Sequence, residues 1–356
     1  MSTAQPPVPV LPGTTGSELT AGKLPQRAVP AVYGVAALAA IGLALAGMNR
    51  ALAIVLAAAV AGVFLVGWAW LVEGRRRAID RLVTISVTSA FFAALAPLVS
   101  LVETVAVKGS ARFDAEFFTS SMRNVVGEGG GAYHAILGTL IITGLATLMS
   151  VPIGVLTAIY LVEYGRGRLK TAITFFVDLM TGIPSIVAGL FAFAVFAIFF
   201  GPGIRMGIMG AVALSILMIP IVVRSTEEML KIVPNSLREA SYALGVSKWR
   251  TIVKVVLPTA LAGMITGIVV AIARVIGETA PLLVTVGAIT SVNGDPFNGR
   301  MSNLPVFSYD SYRSPGVPPE PYLQRAWAAA LALIIIVLAL NLVARLVYRR
   351  YGTHLR

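Results

Sequence analysis

The sequence predicts an all-α integral membrane protein, a polytopic helical bundle with about eight transmembrane helices. Three observations predict it. Of 356 residues, 57% are hydrophobic and 12% charged, against about 25% charged in soluble domains. Several apolar runs reach the roughly 20 residues that cross a bilayer as a helix. The basic residues are also sorted. With both termini in the cytoplasm, 19 of the 28 Lys and Arg fall in cytoplasmic segments, eight outside, and one, Arg274, within a span. Cytoplasmic loops carry such an excess. It explains the net charge of +12 without a nucleic-acid partner, and none is expected.

Taken in order, residues 1–30 carry six Pro and three Gly and too little apolar surface to offset ordering, so they read as a disordered Pro-rich cytoplasmic tail. The first apolar run is too long for a signal-peptide core and is expected to be retained. Spans are expected at 31–49 and 51–72, joined at Asn49–Arg50. The basic block Arg75, Arg76, Arg77 and Arg81 follows as a cytoplasmic segment. Span three covers 82–106, with a kink expected at Pro97. Residues 107–131 form an outside loop rich in Gly, span four covers 133–162, and Arg166, Arg168 and Lys170 mark a short inside loop. Span five, 172–200, contains Asp178 and the break Gly182-Ile183-Pro184-Ser185. Span six covers 206–223 and span seven 259–286. Residues 287–323 read as an irregular outside loop, and span eight covers 325–347.

Between spans six and seven lies the one long polar interruption, Arg224 to Pro258. Ser236 and Glu239 fit an S-x-x-E capping box after Pro234. Leu237, Ser241 and Leu244 follow at helical spacing as one semi-apolar stripe. Gly245 should stop that helix, and a second amphipathic piece runs from Ser247 to Val256. Two short helices around a Gly at the membrane surface make a shape that another protein can grip.

The charges within spans are the candidate chemistry. Arg274 and Glu278 lie four apart and are expected on one helix face, near mid-bilayer, where an unpaired charge costs about 3 kcal/mol on insertion scales. They read either as an ion pair that fixes helix register or as the polar lining of a transport path. The planar fork of a guanidinium suits a phosphate-like anion. Pro281 should bend the helix close by. Arg224, after Pro220, reads as an end anchor or as part of the same path. Asp178 precedes a Gly-Pro break, which frees backbone groups that must be covered; it reads equally as an interfacial carboxylate. Glu103 reads as solvated. There is no Cys, and only His134 and His354, so no metal site is expected. No phosphate-cradling G-x-x-x-x-G-K-[ST] and no hydrolase motif occurs. An enzyme is not expected, and if transport is active its energy must come from elsewhere.

The same interruption carries a resemblance. Glu239-Ala240-Ser241, Gly245, Ile252 and Leu257-Pro258 resemble the EAA loop of ABC-importer permeases, with Ser241 in place of the usual second Ala. Val233 to Ala240, Gly182 to Val187, and above all Arg274-Val275-Ile276-Gly277-Glu278-Thr279-Ala280-Pro281-Leu282-Leu283 resemble the phosphate-importer permeases of the PstA family. The resemblance covers about residues 82–350 and implies a MetI-like permease domain there, with the coupling loop at 234–258. Residues 31–81 are then two extra N-terminal transmembrane helices, since the family usually has six.

What the resemblance implies is a bacterial plasma-membrane subunit of an ATP-driven importer of inorganic phosphate. Its partners would be a PstC-like permease, a dimer of PstB-like ATPases that bind ATP and Mg, a PstS-like phosphate-binding protein, and membrane lipid. The chain itself would bind no cofactor. Arg274, Glu278, Arg224 and Thr279 would line the substrate path. Glu239, Ala240, Gly245, Leu257 and Pro258 would couple to the ATPase. Permeases for molybdate or sulfate, and a phosphate-sensing subunit that does not conduct, are the alternatives.

Overall fold

The computed structural model describes residues 24–25 and 27–351. Most of the Pro-rich tail lies outside them, as do residues 352–356. The chain divides into two compact units between Leu101 and Val102.

The first unit contains α1 (Ala28–Leu45), α2 (Arg50–Glu73) and most of α3 (Arg75–Ser110). α2 buries Ala53, Ala57, Ala61, Leu65 and Ala69, a stripe of mostly small residues every four positions that lets backbones approach closely. α1 packs on α2. Gly74, at φ +87°, adopts the left-handed conformation that separates α2 from α3. The buried Glu73 carboxylate fixes the junction. It accepts from the Leu24 amide at 2.8 Å and from Arg81 Nε and Nη2 at 2.7 and 3.0 Å. The block at 75–81, expected between spans, is the beginning of α3, which runs on through Pro97 as one helix.

The second unit holds the rest. α4 (Ala115–Thr119) is capped by Asp114, which accepts from the Phe117 amide at 2.8 Å. α5 (Tyr133–Ile159) ends in a π-helical turn, Tyr160–Tyr164. Span five is broken. α6 (Gly167–Thr181) and α7 (Ser185–Phe200) meet at 108°, because Pro184 removes an amide donor and pushes Ile183 out of helical geometry. α8 (Gly207–Ile232) leads to α9 (Asn235–Ala243) and α10 (Lys248–Thr251). A second π-helical turn, Ile252–Val256, opens α11 (Leu257–Val275), followed by α12 (Ala280–Thr285), α13 (Leu304–Arg313) and α14 (Glu320–Tyr351). Among the described residues, seven helices are long and apolar enough to cross a membrane, with the bent α6–α7 pair an eighth if it is one span. The all-α polytopic class therefore holds.

The loop at 287–323, expected to be irregular, is not so throughout. Asn303 caps α13 by accepting from the Val306 amide at 3.0 Å, and Pro305 occupies its first turn. Asn before Leu-Pro is a helix-start signal that the surrounding Pro and Gly conceal.

α5, α8 and α11 form the central core through Ile142, Ala146, Leu214, Met218, Val222, Ala271 and Val275. Glycine sets the spacing. A Cβ on Gly154 would lie 2.7 Å from Val222 Cγ1, and one on Gly267 would lie 2.6 Å from Ser225 Cβ. Gly263 likewise meets Met229, so α8 and α11 run antiparallel, with residue 267 level with residue 225. The C-terminus of α5, the C-terminus of α8 and the N-terminus of α11 thus share one end of the bundle, closed by a second core that includes Leu161, Leu230, Val233, Ile252 and Val256.

Candidate functional site

Helix, Gly and helix sit between α8 and α11 as the spacing predicts. Gly245, at φ +74°, ends α9 with two crossed hydrogen bonds, Gly245 N–H to Tyr242 O at 2.9 Å and Val246 N–H to Ser241 O at 3.2 Å. This is a Schellman stop, which requires a left-handed residue. The predicted capping box is absent. α9 begins at Asn235 with Pro234 as its N-cap and no side-chain cap, so Ser236 is already inside the helix and cannot act as the cap. The predicted stripe is corrected too: Ser241 is buried, whereas Leu244 is 83% exposed.

Ser241 Oγ lies 2.8 Å from Thr251 Oγ1, a buried clasp between α9 and the turn of chain that includes α10. Arg238 ties the hairpin to the end of α5. Its Nη2 donates to Glu163 Oε1 at 2.8 Å and to Leu230 O at 3.0 Å, and its Nη1 donates to Val233 O at 2.6 Å. The Arg238 and Glu163 side chains are 12% and 6% exposed. Lys248 adds a hydrogen bond to Glu163 O and lies over the Tyr164 ring. Outward, Glu239, Ala240 and Gly245 are exposed together with Tyr242, Leu244 and Trp249. Leu257 is half-buried and Pro258 exposed in the first turn of α11.

Arg274 and Glu278 do not share a helix face. α11 ends at Val275, and the Glu278 amide donates to Val275 O at 3.1 Å in a turn that separates α11 from α12. The bend expected at Pro281 is a full break at residues 276–279, and Pro281 lies in the first turn of α12, where its missing amide leaves no helix bond unmade. No ion pair joins Arg274 to Glu278 or to any other acid among the described residues. Arg274 is exposed, and Glu278 and Thr279 are half-buried.

Arg224 is different. It is not at the end of its helix, since α8 continues two turns to Ile232. Its Nη1 donates to Glu227 Oε2 at 2.8 Å, its Nη2 to Asp178 of α6, and Lys231 Nζ donates to Glu227 Oε1 at 2.7 Å. Glu227 is buried, and Asp178 is exposed. From the register of α8 on α11, Arg224 is level with Ile268, six residues before Arg274. At 1.5 Å per residue, the two arginines lie about 9 Å apart along the bundle, Arg224 nearer the hairpin.

Sequence reading missed Glu163, Arg238 and Glu227. The spacing of Arg224, Glu227 and Lys231 at i, i+3 and i+7 was a visible signal. The Arg238–Glu163 pair spans 75 positions and had none.

The family model described as binding-protein-dependent transport system inner membrane component matches residues 150–356. The chain is 46% identical over 276 residues to phosphate transport system permease protein PstA 1 of Mycobacterium tuberculosis (strain ATCC 25618 / H37Rv), covering 77% of this chain and 88% of that relative. It is 38% identical over 270 residues to PstA of Pasteurella multocida (strain Pm70), covering 75% of this chain and 93% of the relative. Its fold is similar to that of a chain of a bacterial ABC transporter involved in the import of the acidic polysaccharide alginate. That similarity has a TM-score of 0.51 at 14% identity, over 75% of this chain and 97% of that one.

Proposed function

The chain belongs to the binding-protein-dependent transport permeases and, among them, to the PstA phosphate transport permeases, and from that premise we propose how it moves phosphate. It is a multi-pass membrane subunit of a phosphate ABC importer and not an enzyme. The hairpin end faces the cytoplasm, where the exposed face of Glu239, Ala240, Gly245, Tyr242, Leu244 and Trp249 docks on a PstB-like ATPase that binds ATP and Mg. A PstS-like protein delivers phosphate at the opposite end. A PstC-like permease completes the path, which passes Arg274, Glu278 and Thr279 and then Arg224.

The observation that carries this reading is Arg274: an exposed cation without an acid partner among the described residues, in the last turn of a spanning helix and directly before a helix break. In hydrocarbon it would cost about 3 kcal/mol, so that face meets a polar path or another polypeptide. Phosphate supplies the missing charge and accepts from both sides of the guanidinium fork. The break confers freedom to realign Arg274 as the access side alternates. The buttressed hairpin transmits ATPase closure as a rigid piece, because its base is held through Arg238 to α5 and through Val233 and Ile252 to the core.

The test is ATP-dependent uptake of radiolabelled phosphate into proteoliposomes that hold this chain with its three partner types. Saturable uptake unaffected by equal sulfate or molybdate is the expected result. Competition by either would reassign the cargo to another oxyanion, and binding of phosphate with no uptake would leave a sensing subunit.

A further inference from the structure

The two arginines of the path stand in opposite electrostatic conditions: among the described residues Arg224 has two carboxylate partners and Arg274 none. Arg224 uses both arms of its guanidinium on carboxylates, Glu227 and Asp178. These two acids are not equivalent. Glu227 belongs to the same helix, is 6% exposed, and is also held by Lys231. It is a fixed part of α8. Asp178 comes from another element, is 59% exposed, and stands in the last turn of α6, four residues before Gly182 and the 108° bend into α7. Nothing else among the described residues holds its carboxylate.

Arg224 and Lys231 against Glu227 and Asp178 sum to zero. Without Asp178 the cluster carries one net positive charge, with a guanidinium arm left open. A carboxylate presents two oxygens to that arm much as a phosphate does.

We propose that Asp178 is a latch that occupies the phosphate position on Arg224, so that the transported anion passes this point only by displacing it. The exchange is one of ligands, with no bond made or broken. Because Asp178 ties α6 to α8, its release also frees α6 to move about the Gly182–Pro184 bend, which links passage of the anion to a rearrangement of the helices. In the resting chain the latch keeps the hairpin-side exit neutral and closed. The proposal rests on the reading of Arg224 as part of the phosphate path.

The test uses the reconstituted four-component importer with Asp178→Asn, which keeps shape and removes charge. Two readouts are taken beside wild type: the phosphate concentration at half-maximal uptake, and efflux of preloaded phosphate without ATP. Removing an internal competitor should lower the half-maximal concentration about two- to fivefold, the range a partly exposed ion pair can set, and raise the efflux. Asp178→Glu, which retains the competing charge, should leave efflux near wild type. If Asp178→Asn lowers assembly or melting temperature while both readouts stay at wild-type values, the pair is structural and the proposal is overturned. Should that variant not assemble, wild type decides: phosphate should increase carbodiimide labelling of Asp178, and labelling indifferent to phosphate would overturn the latch. Wild-type importer that carries no phosphate would instead overturn the parent reading.

Discussion

The hairpin at residues 235–256 and the break at residues 276–279 are both interruptions of helical order, yet they are built on opposite principles. The hairpin satisfies nearly everything it buries. Arg238 donates to Glu163 and to the carbonyls of Leu230 and Val233, Ser241 meets Thr251, and Gly245 closes α9 with a paired stop. What it leaves exposed includes three large apolar or aromatic side chains, Leu244, Trp249 and Tyr242. The break does the reverse. It leaves a cation, Arg274, without a carboxylate. A surface that transmits force gains from internal satisfaction and from apolar area to cover. A site that handles an anion must keep donors uncommitted until the anion arrives.

The comparison predicts that changes in the hairpin alter stability and coupling, whereas changes at the break alter transport alone. The largest stability effect is expected from Glu163→Gln, which leaves the buried Arg238 guanidinium on the Leu230 and Val233 carbonyls without its charge partner; removal of one partner of a buried pair costs about 3 kcal/mol or more. A fall in the melting temperature of the purified chain, partly restored by Arg238→Met in the same molecule, is the expected outcome. An unchanged melting temperature would show that the pair does not hold the hairpin.

Gly245→Val comes next. No atom stands within 4 Å of an added Cβ there, so the whole effect is backbone strain at φ +74°, about 1–2 kcal/mol. ATPase binding in pull-down should weaken while phosphate contact residues are untouched. Ser241→Ala should have the smallest effect, about 1 kcal/mol or less, since Thr251 Oγ1 retains Ser247 O as an acceptor at 3.3 Å. If Ser241→Ala exceeds Glu163→Gln in a chemical-denaturation series, the order of support in the hairpin is the reverse of the one described.

Much of this was legible in the sequence, for physical reasons that differ from place to place. The spanning helices follow from apolar length, and the stop at Gly245 follows from the special backbone freedom of glycine between two amphipathic pieces. Span five breaks where Gly182-Ile183-Pro184 places an imino acid. The errors are equally local. Ser236 and Glu239 satisfy the capping-box spacing, but Pro234, with its φ fixed near −59°, starts α9 two residues too early for them. Arg274 and Glu278 have helical spacing, but α11 ends at Val275, between them, and a new helix starts at Ala280 with Pro281 in its first turn. α13 lay hidden among Pro and Gly. The Arg238–Glu163 and Arg224–Asp178 pairs join residues 75 and 46 positions apart, and no periodicity within one helix can reveal contacts that only the packing of α9 on the end of α5, and of α6 on α8, creates.

The most direct test of the central claim is Arg274→Gln in the reconstituted importer, with phosphate uptake, complex yield and melting temperature measured on one preparation. Because Arg274 has no ion-pair partner to lose among the described residues, yield and melting temperature should match wild type. Uptake should fall by at least about tenfold, the loss expected for one charge-assisted contact to the substrate. Uptake at the wild-type rate, or a loss explained by misassembly, would contradict the placement of Arg274 on the phosphate path.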